Sequence, residues 1–194
     1  MQTAVAAFLQ AAGLDLSHPN LAETPARVAS AWADEFLDGY ARTAADALGE
    51  TYPAPASANG LVIVSGLGFH SACPHHLLPY RGVAHLAYVP GDRVVGFGRL
   101  SALVDTLAHR LVLQEDLAHD LADALTTELG ARGAACAIRA EQGCLRLRGA
   151  EQPHATTYAE SFAGTLASDA ELRLRFARVV GPSSTPTSPT PGAP

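Results

Sequence analysis

An α+β fold is what the order of hydrophobic patterns in this chain predicts, with helices first and then strands interrupted by a second helical block. Apolar residues recur at helical spacing near the N-terminus and again over residues 100–125. Short apolar runs bounded by Gly and Pro occupy residues 61–97 and 134–162, and these read as strands.

Residues 2–12 carry the stripe Val5, Phe8 and Leu9 and close at Gly13. A second helix is expected over residues 24–39, with Thr24 as N-cap, Pro25 in the first turn where its missing N–H costs nothing, and Val28, Trp32 and Phe36 at i+4. Residues 43–59 read as a connection. Residues 61–64 and 68–72 read as one strand or a bulged strand, followed by a loop over 75–80. Residues 83–89 and 93–97 read as a hairpin about Pro90-Gly91-Asp92. Leu100, Leu103, Leu107 and Leu111 predict one helix, and Leu117, Leu121 and Leu125 a second. Strands over 134–140 and 144–148, a weaker one over 156–162 and a charged helix over 169–179 complete the ordered part. Residues 181–194, nearly all Pro, Ser, Thr, Gly and Ala, are expected to be a disordered tail. The organisation expected is therefore N-terminal helices over 1–42, a main domain over 43–180 and the tail.

The chain has 194 residues, 48% of them hydrophobic, enough for one core without disulfides. Three cysteines cannot pair completely, the first 14 residues lack the pattern of a secretory leader, and no apolar run nears 20 residues. A reducing cytoplasm is expected, where cysteines bind metal or stay buried more often than they cross-link. The net charge of −6 argues against general nucleic-acid binding and against nothing smaller: the 13 basic side chains are arginines, whose planar fork grips phosphate with two bonds.

The chemistry concentrates in Cys73-Pro74-His75-His76 and, far along the chain, Cys144. Two thiolates and one imidazole suit zinc, and three protein ligands leave a fourth tetrahedral position for water. His75 beside them supplies proton-transfer capacity. This points to a zinc-dependent hydrolase of a small anionic substrate. Strand alternation over 142–148 would put Gln142, Cys144, Arg146 and Arg148 on one face, the metal site bordering an anion pocket, with Leu145 and Leu147 turned to the core. A structural zinc module would instead require a fourth protein ligand, for which Cys136 and nearby histidines are candidates. Cys136, among alanines and Ile138, reads as a small core residue. His18, His109, His119 and His154 show no local partner, and His85 reads as a core histidine within a strand.

Five ordered blocks carry a resemblance: Glu23-Thr24-Pro25-Ala26-Arg27, Cys73-Pro74-His75-His76-Leu77-Leu78-Pro79-Tyr80, Gly96-Phe97-Gly98-Arg99-Leu100, Leu113-Gln114-Glu115-Asp116-Leu117 and Cys144-Leu145-Arg146-Leu147-Arg148-Gly149. Together, from about residue 20 to 165, the chain resembles GTP cyclohydrolase I. The resemblance implies a tunnelling fold, an antiparallel sheet backed by two helices with N-terminal helices attached, assembled as a homodecamer whose active sites form where subunits meet. It implies that Cys73, His76 and Cys144 hold zinc and that His75 is the adjacent acid/base. Gln114 and Glu115 would read the guanine edge of GTP, and Arg27, Arg99 and Arg148 would receive the triphosphate. The reaction implied is hydrolytic opening of the imidazole ring, release of formate, and reclosure to dihydroneopterin triphosphate.

The chain departs from the family pattern at several of these places. Gln142 stands where a catalytic histidine is usual, and an amide cannot titrate near neutral pH. Pro74 replaces a Glu, Arg99 a Lys, Gly98 a Ser, and Ala102 a triphosphate-binding Arg. These departures leave open arrest at the formamidopyrimidine intermediate, use of His70 or His154 as a replacement acid, a different guanine nucleotide, or a catalytically silent regulatory homologue.

Overall fold

The computed structural model of the chain describes residues 1–58, 60–149 and 151–181. Apart from Gly181, the expected tail falls outside the described residues.

The N-terminal part is helical, as its apolar spacing requires. Helix α1 (Gln2–Ala11) ends before Gly13, whose φ of 79° takes the left-handed conformation that stops a helix. Helix α2 (Thr24–Ala31) has Pro25 in its first turn, but Glu23 is the N-cap, and the Thr24 hydroxyl donates back to the Asn20 carbonyl instead of capping. The helix expected to run to residue 39 changes pitch twice, into a π turn (Trp32–Phe36) and a 3-10 turn (Asp38–Ala41). Gly39 is forced there by contact: a Cβ on it would collide with the carbonyl oxygens of Thr106 and His109.

Residues 43–59 hold more structure than a connection. Thr43 and Asp46 form a reciprocal capping box that starts the short helix α3 (Ala44–Leu48), and strand β1 (Thr51–Pro53) follows. Strand β2 (Val62–Ala72) is continuous across the two expected pieces. Its register shifts between Val64 and Leu67, where Gly66 at φ 80° supplies the bulge.

The main sheet is antiparallel in the order β2, β3 (Pro79–Val89), β5 (Gly133–Gln142) and β6 (Thr157–Gly164). The expected hairpin about Gly91 does not form. Both edges of β3 are already taken, since Tyr88 pairs with Val62 on one side and Ala134 on the other, so β4 (Arg93–Val95) pairs with β1 in a separate ribbon.

Helices α4 (Phe97–Ala108) and α5 (Gln114–Thr127) cover one face of the sheet. Leu100, Leu103, Leu117, Leu121 and Leu125 are fully buried there against Leu86, Tyr88, Cys136 and Ile138, each such leucine contributing roughly 1.5–3 kcal/mol. Leu111 lies beyond the end of α4. Cys136 is a core residue as expected, and burial alone raises its thiol pKa. Helix α8 (Ala170–Val180), capped by Asp169 and preceded by the single turn α7 (Thr165–Ser168), covers one end of the opposite face through Phe176 and Val180. His85 on that face is satisfied: its Nδ1 accepts from the Gly66 N–H at 3.3 Å.

The strand expected over 144–148 is absent. Tyr80 pairs with Gln142, so the next ladder partner would be Pro79, which has no N–H to give. The ladder stops, and the chain turns into α6 (Gly143–Arg146), with Leu147 N–H donating to the Gly143 carbonyl. Alternation therefore does not govern this segment, and Leu147, expected to face the core, is 72% exposed.

Candidate metal centre and its cavity

The loop between β2 and β3 is tied at its base. Cys73 N–H donates to the Leu78 carbonyl at 3.0 Å and Leu77 N–H to the Cys73 carbonyl at 2.9 Å, with Leu77 in a left-handed conformation at φ 52°. This geometry holds Cys73 buried at the loop's foot and leaves His75 and His76 exposed. Cys144 arrives from the first turn of α6, which sits against the start of β3 because Gly143 has no side chain: a Cβ there would strike the Pro79 carbonyl oxygen.

Donor atoms of Cys73, His76 and Cys144 all lie within 4.8 Å of one another, and no fourth His, Cys, Asp or Glu joins them among the described residues. The Cys73 Sγ to His76 Nδ1 distance is 3.9 Å, close to the ~3.5–3.8 Å that tetrahedral Zn–S and Zn–N bonds impose on neighbouring donors. None of the three cysteines is in a disulfide. Burial, and then the Cys73 sulfur beside it, raise the pKa of the Cys144 thiol. Two sulfurs so placed repel each other's ionisation, a cost that a cation between them removes. Donor type, spacing and electrostatics thus fit a divalent, thiophilic metal with one position open. Arg148 Nη1 stands 2.9 Å from His76 Nε2. Were a metal held through Nδ1, the ring proton would sit on Nε2, which could not then accept from the guanidinium, and Arg148 would lose this contact.

The two cysteines and His75 line a cavity of about 240 Å³ that also meets Gln114, Glu115, Gln142, Tyr80 and Thr157. Gln114 is the first residue of α5 and is only 5% exposed. Its Nε2 donates to the Ile138 carbonyl, and its Oε1 accepts from Gln142 Nε2 at 2.8 Å and from the Thr157 hydroxyl. Glu115, next in that turn, is exposed at the rim, where the helix N-terminus favours its charge. The Tyr80 hydroxyl donates to the Val112 carbonyl at 3.1 Å, and burial pushes its pKa up to about 12.

Of the residues the sequence singled out, the structure brings together Cys73, His75, His76, Cys144, Gln114, Glu115, Gln142 and Arg148. Gln142 reaches the cavity as the last residue of β5, not by alternation with Cys144. Arg27 on α2 and Arg99 in the first turn of α4 are exposed and do not line it; the Arg99 guanidinium lies beside Gly49. His70 and His154 do not line it either. His70 faces the other side of the sheet, its ring 4.4 Å from His109 and its Nε2 3.0 Å from the Glu35 carbonyl oxygen. Two histidines that seemed unpartnered have partners: His109 Nδ1 lies 2.8 Å from Asp38, and His18 Nδ1 accepts from the Asn20 N–H. Thr157 and Tyr80 are the site residues missed. For Thr157 the sequence offers only strand propensity, and its bond to Gln114 joins segments 43 residues apart. Tyr80 stood at the end of the metal motif and was the more findable.

The family model described as GTP cyclohydrolase I matches residues 1–181. A GTP cyclohydrolase 1 of Leifsonia xyli subsp. xyli is 44% identical over 181 residues, spanning 93% of this chain and 94% of that protein. Another, of Chromobacterium violaceum, is 40% identical over 179 residues, 92% of this chain and 86% of that protein. Among solved structures, the archaeosine synthase QueF-Like in the apo form is a partial likeness, with a TM-score of 0.44 at 17% identity over 54% of this chain and 93% of that one.

Proposed function

The chain belongs to the GTP cyclohydrolase I family, and from that premise we propose that it is a zinc-dependent enzyme that opens the imidazole ring of GTP, releases formate and forms 7,8-dihydroneopterin triphosphate. The observation that carries this reading is the convergence of Cys73, His76 and Cys144 within 4.8 Å, two of them in the wall of a cavity that also holds His75, Gln114 and Glu115. Zinc held by those three residues supplies, when bound, a Lewis acid able to bring the pKa of a water toward neutrality.

The remaining work falls to the chain's own groups. His75, at the cavity wall and exposed, hands a proton to the departing imidazole nitrogen. The Glu115 carboxylate accepts from the N–H groups of the guanine edge, and Gln114 offers that edge the one N–H its internal bonds leave free. Arg148 receives phosphate. A cavity of about 240 Å³ falls below the ~300–1,000 Å³ of pockets that enclose whole ligands, so it takes the base and leaves the triphosphate outside. Arg27 and Arg99, exposed and away from their own chain's cavity, are assigned to the triphosphate at a neighbouring copy's cavity, in keeping with a homodecamer acting in the cytoplasm.

A second reading keeps ring opening but stops at the formamidopyrimidine, and Gln142 favours it, since an amide cannot relay the protons of the later steps. Incubation of the zinc-loaded protein with GTP tests both. Formate and a product that becomes fluorescent on oxidation support the full reaction, and a mass gain of one water without pterin supports arrest. No change in GTP refutes both.

A further inference from the structure

Hydrogen-bond roles along one wall of the cavity can be assigned from a single fixed point. The Ile138 carbonyl oxygen can only accept, so the end of the Gln114 side chain 3.0 Å from it is the amide nitrogen. Gln114 Oε1 is then the atom that meets Gln142 and Thr157. The Gln142 atom 2.8 Å from it must donate, and is Nε2; the single Thr157 hydroxyl proton has two acceptors in reach, the Ala140 carbonyl at 3.3 Å and the nearer Gln114 oxygen, which takes it. Both lone pairs of Gln114 Oε1 are taken. The Gln142 carbonyl oxygen accepts nothing from the described residues, while the side chain lines the cavity beside Cys144.

We infer that Gln142 is a positioning residue with a fixed orientation: its N–H anchors the buried Gln114, and its oxygen stands as a permanent acceptor for an N–H or O–H of the nucleotide in the cavity. An imidazole reproduces this arrangement in one neutral tautomer only and loses the acceptor when protonated. The amide keeps it at every pH and gives up proton transfer in exchange. Thr157 completes the lock from β6 by holding Gln114 from its other side. The inference rests on the guanine-nucleotide reading above and names what one departure from the family pattern does within it.

The test uses the full-length, zinc-loaded protein, with GTP for turnover and 7-deaza-GTP, which lacks the ring nitrogen needed for opening, as the binding probe. Gln142→Leu removes both donor and acceptor and is expected to weaken 7-deaza-GTP binding about tenfold and raise KM by a similar factor, the scale of one or two hydrogen bonds. Zinc content stays unchanged. Gln142→His, measured at pH 8, restores one N–H and one acceptor and binds within about twofold of wild type. Thr157→Val weakens binding several-fold while Thr157→Ser does not, which keeps the inference testable should Gln142→Leu fail to fold. Wild-type affinity in a folded Gln142→Leu, or in Thr157→Val, overturns the inference. So does Gln142→His binding as weakly as Gln142→Leu. If the wild type opens GTP and these variants are unaffected, only this inference falls; if the wild type neither binds nor opens GTP, the cyclohydrolase reading falls with it.

Discussion

Gly143→Ala should separate the two halves of the metal site without touching a ligand. Gly143 is buried, has no positive φ, and lies between the end of β5 and Cys144, so the obstacle to a side chain is contact alone. A Cβ there would come within 3.0 Å of the Pro79 carbonyl oxygen. Carbon–oxygen contacts normally sit at ~3.3–3.6 Å, so α6 must retreat from the start of β3 by at least ~0.3 Å. Pro79 closes the loop that carries Cys73 and His76, so this retreat moves Cys144 away from the other two donors. Metal–ligand distances tolerate about ±0.2 Å, and misplacement of reacting groups by ~1 Å costs on the order of 10²-fold in rate. We expect zinc affinity to fall at least tenfold in a chelator competition and kcat to fall about 10- to 100-fold. The overpacking itself should cost roughly 1–3 kcal/mol of stability. A variant that binds zinc with wild-type affinity would refute the claim that the Gly143–Pro79 contact sets the position of Cys144.

Other substitutions test other levels of the structure. Cys144→Ser should reduce bound zinc, measured by mass spectrometry of the metal, to well below one per chain, while circular dichroism stays near wild type because Cys144 lies outside the main core. Burial, and then Arg139, lower the pKa of His85 below its ordinary 6.5. Its neutral form is the one the fold accepts, so its contribution to stability is complete above pH 6.5 and is lost as pH falls through the lower folded value. Melting temperatures between pH 5 and 8 should therefore drop less steeply on the acid side in His85→Asn, which can still accept from Gly66 but cannot charge. Leu121→Ala, at a fully buried position where α5 meets the sheet, should cost about 2–5 kcal/mol, read from denaturant unfolding.

Helices α1, α4 and α5 were legible because each is a local pattern, an apolar stripe at 3.6 spacing, and α8 because a charged run follows Asp169, which caps it. The β2 bulge was legible for a similar reason, since Gly66 interrupts a run that resumes at once. The misreadings share a cause. A hairpin about Gly91 is locally reasonable, yet β3 had no free edge to offer. A strand over 144–148 alternates well, yet the ladder it needed ended at Pro79. Leu147 therefore carries a strand's pattern on an exposed turn. Local propensity cannot report whether a pairing partner is available.

The site divides in the same way. The donor types at Cys73, His76 and Cys144 and the acid/base candidate His75 are visible in the linear chain because chemistry is a property of residue type and short spacing, whereas the glutamine–glutamate pair opening α5 is singled out by the family resemblance alone. The gap between two distant cysteines, the hydrogen bonds that lock Gln114 between Gln142 and Thr157, and the separation of Arg27, Arg99 and His70 from the cavity were decided only by tertiary structure. Each depends on which strands pair and in what register, and pairing is a competition among segments that no one segment records.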